Sequence, residues 1–154
     1  MHGGSAMENI FTTKSILHQL GIGKSYSGYD YILYAIELIE QDESVLTGIT
    51  KVLYIDIARE FHTSDTCVER NIRKVIEVIW KHSENNKPFI INIFGNKFGV
   101  KKPSNKEFLE LLYEYVKSHV LLYQLLHAEK IICPVSKDVC VAYTKIIEHL
   151  KDLE

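Results

Sequence analysis

Apolar residues recur at spacings of three and four between Ser64 and Lys81, which indicates a helix with one buried side. Ser64 is a favourable N-cap residue, and Asp65 follows in the first turn, where the helix dipole favours a carboxylate. The predicted buried stripe consists of Val68, Ile72, Val75, Ile76 and Ile79. Such a helix gains most of its stability from packing, so further apolar elements must cover this stripe.

The same helical spacing extends over most of the chain. Because 46% of the residues are hydrophobic, a core can form, and we predict an all-α, compact multi-helix domain. We expect Thr12 or Thr13 to cap the first helix, and Ser104 to form a capping box with Glu107. The other helices are predicted over residues 10–20, 27–39, 49–61, from 104 onwards and over 136–150, and residues 89–94 form a helix or a turn.

The helix that begins at Ser64 follows a shorter apolar segment, Ile55–Phe61, after a turn of very few residues. Two helices that are joined by so short a turn, and that both carry an apolar face, are typical of a helix-turn-helix. In that motif the second helix can enter the major groove of DNA. We therefore interpret the segment after Ser64 as a recognition helix.

The outer side of this helix carries the candidate base-reading residues Glu69, Arg70 and Arg73. An arginine can donate two hydrogen bonds to guanine O6 and N7, and a glutamate can accept one from cytosine N4. The alternative is a solvated helix face on which Arg73 pairs with Glu69 or Glu77.

Charge is distributed unevenly along the chain. Between Lys51 and Lys106 there are eleven lysines and arginines and six acidic residues, whereas the rest of the chain has seven and fourteen, respectively. A basic centre of this kind suits the phosphates of double-stranded DNA. The candidate backbone-contacting residues are Thr50, Lys51, Arg59, Thr63, Ser64, Lys74, Lys97, Lys101 and Lys102.

Neither a metal site nor an enzyme is expected. His127, Cys133 and Cys140 match no common zinc spacing, and the sparse, odd number of cysteines favours buried free thiols in a reducing compartment. The sequence contains no Gly-rich phosphate loop, and no nucleophile can be paired with a base and an orienting group. We predict no cofactor.

Two central segments, Gly48–Phe61 and Val68–Trp80, closely resemble the C-terminal effector domain of stage zero sporulation protein A, a response regulator that controls entry into sporulation. The similarity continues through residues 28–32, 93–95 and 102–108, and it covers roughly residues 10–116. The resemblance implies an all-α domain that binds a short guanine-containing DNA box and regulates transcription.

Residue by residue, the resemblance places Glu69, Arg70 and Arg73 at base-reading positions, and Thr50 and Lys51 in a segment that contacts the DNA backbone. Residues 93–95 match a region that the family uses towards the sigma subunit of RNA polymerase, which makes Phe94 a candidate polymerase contact or, alternatively, a core aromatic.

Three features depart from the family pattern. Lys74 stands where the family usually has histidine, and we expect this difference to alter a phosphate or base contact. Ile55 replaces a proline at a position where proline only starts the helix. The family also carries an N-terminal receiver domain, and nothing before Ile10 has the length to be one.

We divide the sequence into a leader (residues 1–6) ahead of a start at Met7, a helix-turn-helix domain (7–117) and an extension of one or two helices (118–154). The apolar side chains of the extension need burial on the same core or in a homodimer. No apolar run approaches the ~20 residues of a membrane span, and we expect a cytoplasmic, nucleoid-associated protein. The alternative function is a protein-interaction module that modulates a related regulator without reading DNA.

Overall fold

The computed structural model describes residues 3–127 and 148–149, and these residues contain helices and turns but no strand. The predicted all-α class is therefore confirmed. The α-helices are α1 (Gly3–Gln19), α2 (Ser27–Gln41), α3 (Tyr54–Glu60), α4 (Asp65–Lys81), α5 (Lys87–Phe94) and α6 (Asn105–His127). Short helical turns at Glu43–Leu46, Ile49–Leu53, Ser83–Asn86 and Asn96–Gly99 lie between them.

The chain divides into two compact units, Met1–Val116 and Lys117–Glu154. The first unit contains α1 to α5 and the beginning of α6, and it holds every candidate DNA-contacting residue. Within the second unit, Leu121 and Leu122 on α6 are exposed. Cys133, Cys140 and the helix predicted over 136–150 lie outside the described residues, apart from a short helical piece at 148–149.

The buried side of α4 is the stripe that its spacing predicts. Val68, Ile72, Val75, Ile76 and Ile79 are each at most 2% exposed. They pack in one core with apolar side chains of α1, α2, α3, α5 and α6. Burial of this stripe holds α4 in one rotational setting, so the opposite side of the helix faces outwards.

Helix α2 approaches α4 closely at Gly28. A Cβ atom at this position would lie 2.7 Å from Val75 Cγ2 and closer still to the carbonyl oxygen of Asn71. Only a residue without a side chain therefore permits this packing.

Two predictions for the first half of the chain were wrong. Helix α1 begins well before Thr12 and Thr13, so neither residue caps it, and Thr13 is buried, with its hydroxyl donating to the Asn9 carbonyl at 2.7 Å. Threonine makes this bond to the preceding turn readily inside a helix. Residues 49–61 do not form one α-helix, because a wider helical turn spans residues 49–53 before α3 begins. In this turn Val52 is exposed.

An aromatic cluster closes the other side of the core. Trp80 and Phe94 meet edge to face with ring centroids 5.3 Å apart, and Phe94 stacks on Phe108 at 5.1 Å. The indole N–H of Trp80 donates to the carbonyl of Phe98 at 2.8 Å. Of the two alternatives for residues 89–94, the structure shows the helix: they lie in α5, which has Pro88 in its first turn.

Candidate nucleic-acid interface

The turn between α3 and α4 consists of residues 61–64. The Thr63 N–H donates to the Ala58 carbonyl at 2.9 Å, and His62 takes a left-handed conformation with φ of 52°. The hydroxyl of Ser64 accepts a hydrogen bond from the Cys67 N–H at 3.1 Å, which is the geometry of an N-cap. Ser64 therefore caps α4 as predicted, and α3 and α4 form a helix-turn-helix.

Three cations occupy the outward side of α4. Arg70, Arg73 and Lys74 are exposed, and spacings of three and four bring them to one face of the helix. Glu69 is half-buried, and its carboxylate pairs with Arg73, as the alternative interpretation of a solvated face expects. Within the described part of the chain, Arg70 and Lys74 form no ion pair, so their charges are available to a ligand.

Cys67 lies half-buried in the first turn of α4 and was not singled out by the sequence. A hydrogen bond from the Thr63 hydroxyl lowers the pKa of its thiol, and the nearby charge of Arg70 acts in the same direction. The amide of Asn71 also donates to Sγ at 3.3 Å. The hydroxyl of Thr63 is thus engaged inside the protein, at the start of α4.

The remaining predicted residues on the amino-terminal side lie around α3. Thr50 and Lys51 are exposed in the turn that precedes this helix, and Arg59 is exposed on the helix itself. Arg59 pairs with Asp56 at 3.1 Å on the same helix. Because both partners remain accessible, this pair is weak and can open towards another anion.

A cleft of about 320 Å³ lies between α4 and the start of α6. It brings together four of the predicted residues, Thr50, Glu69, Arg73 and Lys102. Tyr54, Ile76 and residues 103–106 complete its lining. Burial raises the pKa of the Tyr54 hydroxyl, which keeps that group neutral at physiological pH.

Among the residues that the structure describes, two of the three predicted lysines in the loop between α5 and α6 form ion pairs, unlike Arg70 and Lys74 of α4. Lys102 pairs with Glu77 of α4, and Lys97 pairs with Glu107, each at 3.3 Å. Lys101 is exposed, and within residues 3–127 it has no acidic partner. The predicted capping box is present, because Ser104 N–H donates to the Glu107 carboxylate at 2.9 Å and Glu107 N–H donates to the Ser104 hydroxyl at 3.2 Å. The backbone N–H and the hydroxyl of Ser104 lower the pKa of the Glu107 carboxyl, and Lys97 acts in the same direction.

Phe94 does not lie on the surface. Its side chain is 3% exposed and is stacked in the aromatic cluster, so it offers no area to a polymerase in this structure. The position matches the alternative interpretation as a core aromatic.

Among residues 3–127 and 148–149, no group of histidine, cysteine and acidic side chains could hold a metal ion. Within the same described residues, no helix is both long enough and apolar enough to span a membrane.

The short turn, the capped second helix and the outward cations define the class of helix-turn-helix DNA-binding domains. A family model described as "Sporulation initiation factor Spo0A C terminal" matches residues 13–116. The chain belongs to this family of DNA-binding effector domains, which function in transcription regulation during sporulation and are not an enzyme family. The match ends at the same residue, Val116, as the first compact unit.

Proposed function

We propose that this chain binds double-stranded DNA in a sequence-specific manner and thereby regulates transcription. The observation that carries the proposal is the outward face of α4, where Arg70, Arg73 and Lys74 are exposed on a helix whose opposite side is buried. A helix that is held in this way can present two arginine forks to base edges in the major groove. On this proposal the protein acts in the cytoplasm, at the nucleoid.

The proposed roles divide into base contacts and phosphate contacts. Glu69, Arg70 and Arg73 read bases, and Lys74 binds a phosphate beside them. Thr50, Lys51, Arg59 and Ser64 suit the backbone on one side of α4, and Lys97, Lys101 and Lys102 suit it on the other. Thr63 suits the first side once its hydroxyl has left the Cys67 thiol. Lys101 is the most available of the loop lysines, because Lys97 and Lys102 must first exchange their carboxylate partners.

Selection of bound sequences from a random duplex library tests the proposal. The expected result is enrichment of a short guanine-containing box, and the loss of that enrichment when Arg70 and Arg73 are both replaced by alanine. A matched control removes two exposed lysines outside the basic centre, Lys14 and Lys24, and should leave the box unchanged. If the wild-type chain enriches no sequence at low salt, the proposal fails and the interaction module becomes the better explanation.

We further propose that the extension after Ser118 supports a homodimer. Its exposed Leu121 and Leu122 are apolar side chains that a second subunit can cover. Truncation after Lys117 should then convert a dimer into a monomer, as measured by light scattering. A monomer both before and after truncation would reject the dimer.

A direct contact with the sigma subunit of RNA polymerase is a separate proposal, and it cannot run through the Phe94 side chain while that side chain is buried. The exposed neighbour Asn96 is a better candidate. A pull-down of purified sigma subunit with the Asn96→Ala variant tests it, and capture equal to that of the wild type would argue against this surface.

A further inference from the structure

The first residue of α6, Asn105, contacts both helices of the helix-turn-helix through its side chain. The side-chain amide of Asn105 donates to the hydroxyl of Tyr54 at 3.0 Å and to the backbone carbonyl of Glu69 at 3.0 Å. A primary amide has two N–H donors, so each acceptor can receive one of them. Asn105 thus joins three helices through one side chain.

The two acceptors lie beside the two segments that the proposed function assigns to DNA contacts. Tyr54 is the first residue of α3 and follows the exposed segment of Thr50 and Lys51, which suits phosphates. The Glu69 carbonyl lies in the turn of α4 that also carries Arg70 and Arg73. A bond to each of these groups fixes the distance between the phosphate-contacting segment and the base-reading turn.

Local hydrogen bonds and burial hold the residues on both sides of Asn105 in place. Ser104 and Glu107 form the capping box immediately around it, and Pro103 is buried before it. Lys102 pairs with Glu77, two turns further along α4. The start of α6 therefore holds one side of α4 at two points, while the close approach of Gly28 fixes α4 against α2.

We infer that Asn105 is a positioning residue for DNA recognition, which sets the register of α4 relative to the phosphate-contacting segment before α3. The inference rests on the proposed sequence-specific function. Direct contacts to bases require a side-chain geometry that is held to within about 0.5 Å. Contacts to phosphates tolerate larger displacements, because they depend mainly on charge. Loss of Asn105 should therefore reduce discrimination between sequences more than it reduces binding to DNA in general.

The test is a titration of Asn105→Ala and Tyr54→Phe against the selected box and a scrambled duplex, at several salt concentrations. Asn105→Ala should lower the ratio of the two affinities about tenfold, which is comparable with the loss of a base contact. Binding to the scrambled duplex should change less than about twofold, and the salt slope should stay the same, because no charge is removed. Tyr54→Phe keeps the bond to Glu69 and should show a smaller loss of the same kind.

Asn92→Ala is the matched control. The Asn92 amide also donates to a tyrosine hydroxyl on another helix, that of Tyr115 at 3.3 Å, but this pair lies on α5 and α6 and does not involve α4. The variant should keep the full affinity ratio. Thermal melts separate positioning from unfolding, because a partly unfolded variant loses affinity for both duplexes alike and melts at a lower temperature.

Three results would overturn the inference. The first is an Asn105→Ala variant that keeps the wild-type ratio, and the second is one that loses affinity equally for both duplexes while it remains folded. These two results leave the proposed function intact. The third is a wild-type protein that does not discriminate between duplexes, and this result removes the proposed function together with the inference. Amide exchange at Arg73, whose N–H donates to the Glu69 carbonyl in the α-helix, reports on this turn without DNA. It should speed up in Asn105→Ala and stay unchanged in Asn92→Ala.

Discussion

The two sides of α4 have opposite properties although they share one backbone. On the inner side, the five aliphatic residues are at most 2% exposed, and α2 approaches so closely that Gly28 has no room for a Cβ atom. On the outer side, Arg70, Arg73 and Lys74 are exposed. The inner side is thus committed to folding, and the outer side remains available to a ligand. Substitutions on the two sides should separate stability from DNA recognition.

The largest effect is expected on the inner side, from Gly28→Ala. The new methyl group would clash with Val75 and with the backbone of Asn71, so either α2 or α4 must shift. We expect the free energy of unfolding to fall by about 3 kcal/mol, at the upper end of overpacking effects. Chemical denaturation measures this change. The control is Gly23→Ala, which meets no atom within 4 Å and should change stability by less than about 0.5 kcal/mol.

Next in size is the replacement of Arg70 or Arg73 by lysine on the outer side. Lysine keeps the charge but lacks the planar fork with two donors. Each replacement should cost about 1–3 kcal/mol of binding energy on the preferred box and almost nothing on random DNA. Titrations against both duplexes provide the measurement. If both variants lose affinity equally for box and scramble, the two arginines act only as phosphate contacts.

A smaller effect is expected where the two sides meet, at the N-cap of α4. Ser64→Ala removes the acceptor of the Cys67 N–H and should destabilise the protein by about 1 kcal/mol. Ser25→Ala is the control, because Ser25 is exposed in the loop before α2. A melting temperature of Ser64→Ala equal to that of the wild type would contradict the capping role. Any loss of DNA affinity in this variant would then be due to the loss of a hydroxyl contact with DNA.

The smallest effect is expected for Lys74→Ala. This residue has no acidic partner in the described part of α4, so its removal should not affect folding. If Lys74 binds a phosphate, its loss should weaken binding to all sequences alike and reduce the salt slope by about one unit. A slope identical to that of the wild type would place Lys74 outside the interface.

The sequence predicted the structure well where the determinants are local. The apolar stripe of α4, its cap at Ser64 and the capping box at Ser104 and Glu107 are set by residues within a few positions of one another. The start of α1 could not be predicted in the same way. Thr12 and Thr13 are favourable cap residues, but a threonine can equally bond to the preceding turn, and only the structure reveals that Thr13 does so.

The site was predictable only in part, for a similar reason. Outward cations on α4 follow from the helical period, so Arg70, Arg73 and Lys74 could be named in advance. The contacts of Asn105 with Tyr54 and Glu69 join residues 51 and 36 positions apart, and no local pattern announces them. The burial of Phe94 likewise depends on Trp80 and Phe108, which reach it from other helices.

On the proposed function, the ion pair between Glu69 and Arg73 means that Arg73 approaches DNA with an acceptor already in place. To contact a base through the same nitrogen, its guanidinium must exchange that carboxylate for another acceptor. Guanine, with two acceptors in the major groove, can compensate for this loss, whereas a base with one acceptor compensates less well. On that proposal, the Glu69 carboxylate competes with each base for the guanidinium of Arg73. Glu69 can in this way increase the preference of Arg73 for guanine, although it makes no favourable contact of its own with that base.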